Sequence, residues 1–241
     1  MRGSVAGGAT APVVPSSLVL IGGFGLEVDG APVDTPLAVQ RLLAFLALAG
    51  RPLPRCYVAG SLWPETAEDR AAANLRATVW RLGPSREAVV VVTGLEVGLT
   101  GGLAVDYPEA LAGARRVLEP GATAAPGEVD RLLRWGELLP GWHDDWVLTE
   151  RERLRQLRLH ALEAVSRRLA ADGETMRAID VALSAVAAEP LRESAHRVLV
   201  EAHLAEGNRA EAARAVASFT QSLRRCVGLE PSPRLLGLVD A

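Results

Sequence analysis

The spacing of apolar residues changes character several times along the chain. Over residues 18–29 apolar positions are broken by Gly22, Gly23 and Gly25 and closed by the Asp29-Gly30 pair. That is a β-like stretch ending in a turn signal. Asp34 and Thr35, followed by Pro36, then open a helix that runs to Gly50. Its apolar face is Val39, Leu42, Leu43, Leu46 and Ala49. Pro54 starts a short second helix holding Val58, Leu62 and Trp63, and Pro64 stops it. A third helix is predicted over 66–82, with Thr66 and Asp69 as an acidic variant of the capping box and Gly83-Pro84 as its end. Leu75, Val79 and Leu82 form its buried stripe, with Ala71 and Ala72 packing above, and the opposite face carries Arg70, Asn74, Ala77 and Arg81. Residues 89–93 and 97–99 flank Gly94 as a β-hairpin. Strand, three helices and hairpin, in that order, predict a winged helix over 18–108.

The second half reads differently. Residues 113–127 are rich in Pro, Gly and Ala and are expected to form a loop or inter-helix connection near a domain junction rather than a freely flexible linker. Helices follow near 147–171, 174–188, 192–206 and 208–227, with a closing helix over 232–239. Ala171-Asp172-Gly173 recurs as Ala205-Glu206-Gly207, and Ala178 recurs as Ala212, each after 34 residues. This is the tetratricopeptide period, and the small residues fall where antiparallel helices approach closely. The fold class is therefore mainly α: an N-terminal winged helix with small β elements, then an all-α tetratricopeptide-like domain of helical hairpins over 109–241.

Composition narrows the picture without deciding it. A chain of 241 residues, 49% apolar and only 4% aromatic, suits one or two Ala/Leu/Val-rich helical domains. All 26 basic residues are Arg, a bias that GC-rich codons produce and that is not by itself a nucleic-acid signature. Net charge is −3; residues 18–108 hold seven Arg against nine Asp and Glu, so any basic surface must be local. Cys56 and Cys226 sit far apart with no CxxC pair, which argues against a disulfide framework or zinc site. No apolar run approaches a membrane span, so no membrane association is expected. Residues 1–17 lack an apolar core and read as a disordered tail rather than a signal peptide, which implies a cytoplasmic protein.

The most specific motif is Leu138-Leu-Pro-Gly-Trp-His-Asp-Asp-Trp146 running into Thr149-Glu-Arg-Glu-Arg-Leu-Arg-Gln-Leu157. A Pro-Gly corner with two tryptophans feeding a charge-laced helix resembles the bacterial transcriptional activator domain of the SARP family, the antibiotic regulatory proteins of actinomycetes. The Gly228-Leu-Glu-Pro-Ser-Pro233 turn resembles the end of the same domain. The resemblance spans 18–239. It implies a transcriptional activator that binds double-stranded DNA at a direct-repeat operator as a homodimer and contacts RNA polymerase or its sigma factor, with no cofactor. Two departures stand out: Leu82 is followed by Gly83-Pro84 where the family places an Arg, and the turn Gly94-Leu-Glu-Val97 carries an acid and no base.

A helix that reads the major groove needs exposed side chains able to reach base edges, flanked by phosphate contacts. The candidate set is Arg70, Asn74, Arg76, Ala77, Thr78, Arg81 and Arg86. Arg81 suits guanine, Asn74 adenine and Ala77 a thymine methyl, while Arg70, Arg76 and Arg86 suit phosphates. The plain alternative is an ordinary solvated helix face. Gly22-Gly-Phe-Gly25 lacks the spacing of a phosphate loop. His143-Asp144-Asp145 is read as a helix-entry corner whose acids complement the helix dipole rather than as a metal site. Glu150, Arg151, Glu152, Arg153, Arg155 and Arg158 read as a face of i,i+3 and i,i+4 pairs. Trp135, Trp142 and Trp146 are expected at the domain junction. His160, His196 and His203 are core-edge or groove-lining residues, with no nucleophile at a recognisable spacing and hence no catalytic set. Two alternatives stay open: an adaptor with a degenerate winged helix that binds a partner protein in the tetratricopeptide-like groove, and a ligand-responsive regulator with a pocket near His160 and His196.

Overall fold

The computed structural model describes residues 16–121 and 127–240. The chain divides into two compact units, Met1–Glu109 with Glu137–Glu150, and Ala110–Gly136 with Arg151–Ala241. Residues 1–15 of the expected tail, and 122–126 of the expected 113–127 loop, lie outside the described residues.

In the first unit β1 (Ser17–Val19), β2 (Gly25–Val28) and β3 (Ala31–Pro32) form an antiparallel meander. Asp29 and Gly30 between β2 and β3 both take positive φ, 51° and 79°, the geometry a two-residue hairpin favours. Ser17 thus belongs to a strand, and Ser16 is buried beside it. Then come α1 (Leu37–Ala49), β4 (Leu53–Pro54), α2 (Arg55–Leu62) and α3 (Glu68–Trp80). Gly50 ends α1 in the left-handed region, its N–H donating to the carbonyl of Leu46 at 3.1 Å. A 3₁₀ turn (Gly83–Ser85) and α4 (Arg86–Val89) lead into the expected hairpin, β5 (Val90–Val92) and β6 (Glu96–Leu99), and β4 pairs with the outer edge of β6. Finally β7 (Ala104–Val105) runs parallel to β1 and completes a sheet of order β3-β2-β1-β7.

Residues 113–118, expected as loop, are helical instead: α5 spans Asp106–Leu118. Ala110, Leu111, Ala114 and Val117 recur at helical spacing and are buried, and this stripe outweighs the local glycine and alanine content. At the start of α5 the Asp106 carboxylate accepts the backbone N–H groups of Leu20 (2.9 Å) and Ile21 (2.9 Å). Burial pushes this carboxyl above its ordinary range, against the pull of those amides.

The Pro-Gly corner packs with the first unit. Leu138 bridges to Ile21, and the amide of Leu139 donates to the carbonyl of Leu20 at 2.9 Å. Leu139 is fully buried and holds φ at 44°, a region a branched aliphatic side chain rarely adopts. Trp142 stacks on Phe24 (centroids 6.3 Å apart) and meets Trp146 edge-on, and Trp146 meets Phe45 of α1 edge-on at 5.2 Å. Asp144 pairs with Arg41 of α1 at 2.6 Å. Trp142 and Trp146 therefore serve the interior of this unit, whereas Trp135 packs against the core of the other.

The second unit is helical: α6 (Glu128–Arg134), α7 (Asp145–Ala171), α8 (Thr175–Ala188), α9 (Glu193–Ala205), α10 (Arg209–Val227) and α11 (Pro233–Asp240). These agree with the expected helices to within two residues at most ends, and α9 packs between α8 and α10. The repeat is physical. Gly173 and Gly207 both sit at left-handed φ, 81° and 84°. Each is followed by a residue whose N–H reaches five positions back, Glu174 to Leu169 (2.8 Å) and Asn208 to His203 (2.9 Å), the bond that closes a Schellman motif. Ala178 and Ala212 are fully buried, as the close approach of helices requires. The charged face of α7 is only partly a ladder of ion pairs: Arg155 pairs with Glu152 and Glu189, but Arg158 is half-buried and donates to the carbonyls of Leu132 (2.9 Å) and Leu133 (3.0 Å).

Two outcomes test this packing. Leu139→Ala should destabilise the protein by about 2–5 kcal/mol in urea unfolding, because it empties a fully buried site; a change below about 0.5 kcal/mol would contradict the burial. His196 stacks on Phe219 (4.2 Å), contacts the carbonyl of Pro190 through Nε2 (2.9 Å), and leaves Nδ1 buried without a partner among the described residues. Burial holds its pKa below the ordinary imidazole value. The unfolded chain then binds the proton more readily than the folded one, so the contribution of His196 is present above about pH 6.5 and is lost as pH falls below it. His196→Gln should flatten that slope; an unchanged slope would mean the imidazole is not the titrating group.

Candidate nucleic-acid interface

One buried stripe seats α3. Ala71, Leu75, Thr78, Val79 and the following Leu82 are all buried. With 3.6 residues per turn, the remaining positions fall into two rows on the free side. One is Arg70, Asn74, Ala77 and Arg81; the other is Asp69, Ala73, Arg76 and Trp80. All eight are exposed except Asn74, which is half-buried. Thr78, named among the candidates, belongs to the stripe. It is 1% exposed, so its side chain packs inward and does not reach a ligand surface.

The start of α3 also differs from expectation. Ala67 is its N-cap, with no side-chain capping bond, and Thr66 lies outside the helix in the turn from Trp63, whose carbonyl accepts the Thr66 N–H at 3.1 Å. Glu68 and Asp69 occupy the first turn, where acids complement the positive end of the helix dipole.

Five guanidinium groups surround the free face: Arg55 of α2, Arg70, Arg76 and Arg81 on α3 or its cap, and Arg86 at the start of α4. Among the described residues only Arg86 makes an ion pair, a grazing 3.9 Å contact with Glu87 in which both side chains are exposed. Such a contact contributes little. The Asn74 amide likewise has no hydrogen-bond partner among the described residues. Unpaired cations and an unpaired amide are free for a ligand at no cost of breaking internal bonds. Trp80, absent from the candidates, is 79% exposed and walls two adjoining hollows. One hollow holds Arg81 and Arg86 and the other Arg55, Arg76 and Arg86. Its position in the second row follows from its spacing to Arg76, but the size of a tryptophan side chain suggests burial and hides it. A third groove, about 550 Å³, lies between α2, α3 and the hairpin tip, and includes Cys56, Trp63, Arg76 and Leu95.

The tip of the hairpin is held by the Thr93 side chain, whose Oγ1 accepts the Glu96 N–H at 3.0 Å. Leu95 there is 83% exposed, beside an exposed Glu96. Residues 94–97 offer apolar contact and carry no cation of their own, while Arg55 and Arg76 line the groove beside them. Away from this face, the His143-Asp144-Asp145 corner has separate duties: Asp144 binds Arg41, Asp145 begins α7 and His143 is exposed. His196 is interior and His160 is exposed. Cys56 and Cys226 are free and exposed. No helix among the described residues is long and apolar enough to cross a membrane.

The family model of the bacterial transcriptional activator domain matches residues 113–241. Among solved structures, the fold is similar to that of Mycobacterium tuberculosis EmbR, solved in complex with a low-affinity phosphopeptide. The TM-score is 0.69 at 20% identity, over 94% of this chain and 64% of that one. The chain thus spans less than two thirds of the length of that relative. No curated protein matches the sequence.

The two sides of α3 separate cleanly by substitution. Ala77→Arg, on the free face, should leave stability within about 0.5 kcal/mol of the parent. Thr78→Arg, one residue on, should cost at least about 2 kcal/mol, because it forces bulk and charge into a packed stripe. Equal thermal stability of the two variants would contradict this orientation of the helix.

Proposed function

Because this chain belongs to the bacterial transcriptional activator domain family and is a regulator of the SARP type, we propose that it is a DNA-binding activator of transcription that recognises a specific sequence. The observation that carries the reading is the free face of α3, where Arg70, Asn74, Ala77 and Arg81 lie in one row, with Arg76 in the next row and Arg86 at the start of α4 nearby. In this reading α3 lies in the major groove. Arg81 makes a bidentate contact to guanine, Asn74 addresses adenine and Ala77 faces a thymine methyl. Arg70, Arg76 and Arg86 hold phosphates and set the register. The functional division is DNA contact by residues 18–108 and protein contact by 109–241, the latter with RNA polymerase and with a second copy of the chain on a direct repeat. The site of action is the cytoplasm.

Few cations serve this interface, so one protomer makes few phosphate contacts and binds weakly alone. Two protomers aligned by their helical units on adjacent half-sites make the second binding step nearly intramolecular, which raises affinity without new base contacts. Titration of the full chain against one half-site and against two tandem half-sites tests this, and tandem binding should be at least tenfold tighter than the single site predicts. Equal affinity per half-site would assign the helical unit to partner recruitment alone.

The individual roles separate by specificity. Arg81→Ala should cost about 1–3 kcal/mol on the preferred site and relax the preference at one base pair. Arg70→Ala or Arg86→Ala should weaken specific and random DNA alike and flatten the salt dependence. If Arg81→Ala and Arg86→Ala behave the same on both DNAs, the roles are misassigned. A parent protein that prefers no sequence would favour the adaptor reading, which the acidic balance of 18–108 supports.

A further inference from the structure

We infer that Trp80 determines part of the sequence preference by reading a thymine, through its ring against the 5-methyl group and its indole N–H to O4. This rests on the DNA-binding reading above and adds a base-reading residue to it. The starting point is exposure: a tryptophan side chain is 79% accessible on a helix whose other large apolar residues are buried. It sits four positions after Arg76, three after Ala77 and beside Arg81, in the second row of the free face of α3.

The surroundings define the partner. Trp80 lines two hollows, one with Arg81, Arg86 and the exposed Glu87, the other with Arg55, Arg76 and Arg86, so cations outnumber acids around the ring. Whatever covers the ring must bring negative charge to those guanidiniums and an apolar group to the indole. The major groove does both, since phosphates line its walls and the thymine methyl is the apolar group that a base pair presents on its floor. The indole N–H has no acceptor among the described residues, and it can only donate. Thymine presents an acceptor, O4, next to its methyl, whereas cytosine presents an amino donor at the equivalent place. A donor beside an apolar ring therefore fits thymine and opposes cytosine. Adenine and guanine offer acceptors but no methyl.

The test uses the purified full chain and the duplex it selects from a random pool. At each selected thymine, deoxyuridine removes only the methyl; 5-methylcytosine, paired with guanine to keep the duplex matched, keeps the methyl and exchanges O4 for an amino group. The same exchange measured with Trp80→Phe subtracts the effect of the changed purine. One position should lose about fourfold in affinity with deoxyuridine, the value of one buried methyl. With 5-methylcytosine it should lose about three- to tenfold, the value of a hydrogen bond between neutral groups. Trp80→Phe should keep the deoxyuridine effect and lose discrimination against 5-methylcytosine; Trp80→Ala should lose both at that position and retain the preferences set elsewhere. Both variants should melt with the parent, because the side chain is exposed. If the response to deoxyuridine survives Trp80→Ala, another residue reads the methyl; if no thymine responds, no residue reads one and the Ala77 contact falls too. In either case the assignment to Trp80 falls while DNA binding stands. If the parent selects no sequence, both readings fall together.

Discussion

Everything the free side of α3 can do follows from what its other side must bury. Ala71, Leu75, Thr78, Val79 and Leu82 lie against the rest of the three-helix core, and α3 packs on both α1 and α2. Each large apolar side chain in that stripe favours burial by about 1.5–3 kcal/mol. Rotating the helix by one position would bring an arginine inward and a leucine outward, and neither exchange is tolerable. The orientation of Arg81, Ala77, Asn74 and Trp80 is thus imposed by packing and needs no interaction of their own. This also explains how the face leaves Arg55, Arg70, Arg76, Arg81 and the Asn74 amide without a partner among the described residues, while Arg86 makes only a grazing contact with Glu87.

Electrostatics then decides what such a face is good for. Glu87 lies within 3.9 Å of Arg86, Asp69 and Glu96 are exposed on α3 and the hairpin, and the whole chain carries a charge of −3. Long-range attraction to a polyanion is correspondingly weak, and affinity must come from short-range contacts made at the right sequence. In the proposed DNA-binding reading, residues that read bases by shape and hydrogen bonding therefore matter more than in a strongly basic module. The helical unit has a different economy. Its alanine contacts and its paired left-handed glycines repeat after 34 residues and build a stack of hairpins.

Much of this was legible in the residues themselves. Long periodic stripes predicted α1, α3 and the helices from α7 onward, and the Asp29-Gly30 pair and Gly94 marked reversals that the structure contains. The repeat was visible because the same small residues are needed at each close approach. Other features escaped for physical reasons. β4 and β7 are two residues long, too short for alternation to register. The glycine-rich start of 113–127 concealed the end of α5, whose stripe becomes evident only when Ala110 and Leu111 are counted with it. Thr66 looked like a cap because Asp69 follows at the right spacing, yet the turn from Trp63 takes its amide and the helix starts later. On α3, Thr78, taken as a candidate contact, is inside, and Trp80, not taken as one, is outside. Polarity alone does not sort positions on a helix, whereas angular position relative to Leu75 and Val79 does.

The most direct measurement is binding-site selection on genomic DNA, run in parallel with the parent chain and a variant carrying Asn74→Ala and Arg81→Ala. Both changes lie outside the buried stripe, so the variant should fold like the parent. The account predicts that the parent enriches one motif arranged as a direct repeat, and that the variant loses that motif while keeping weak, salt-sensitive binding to any duplex. A parent that enriches nothing, or a variant that enriches the same motif, would contradict the claim that the free face of α3 reads sequence.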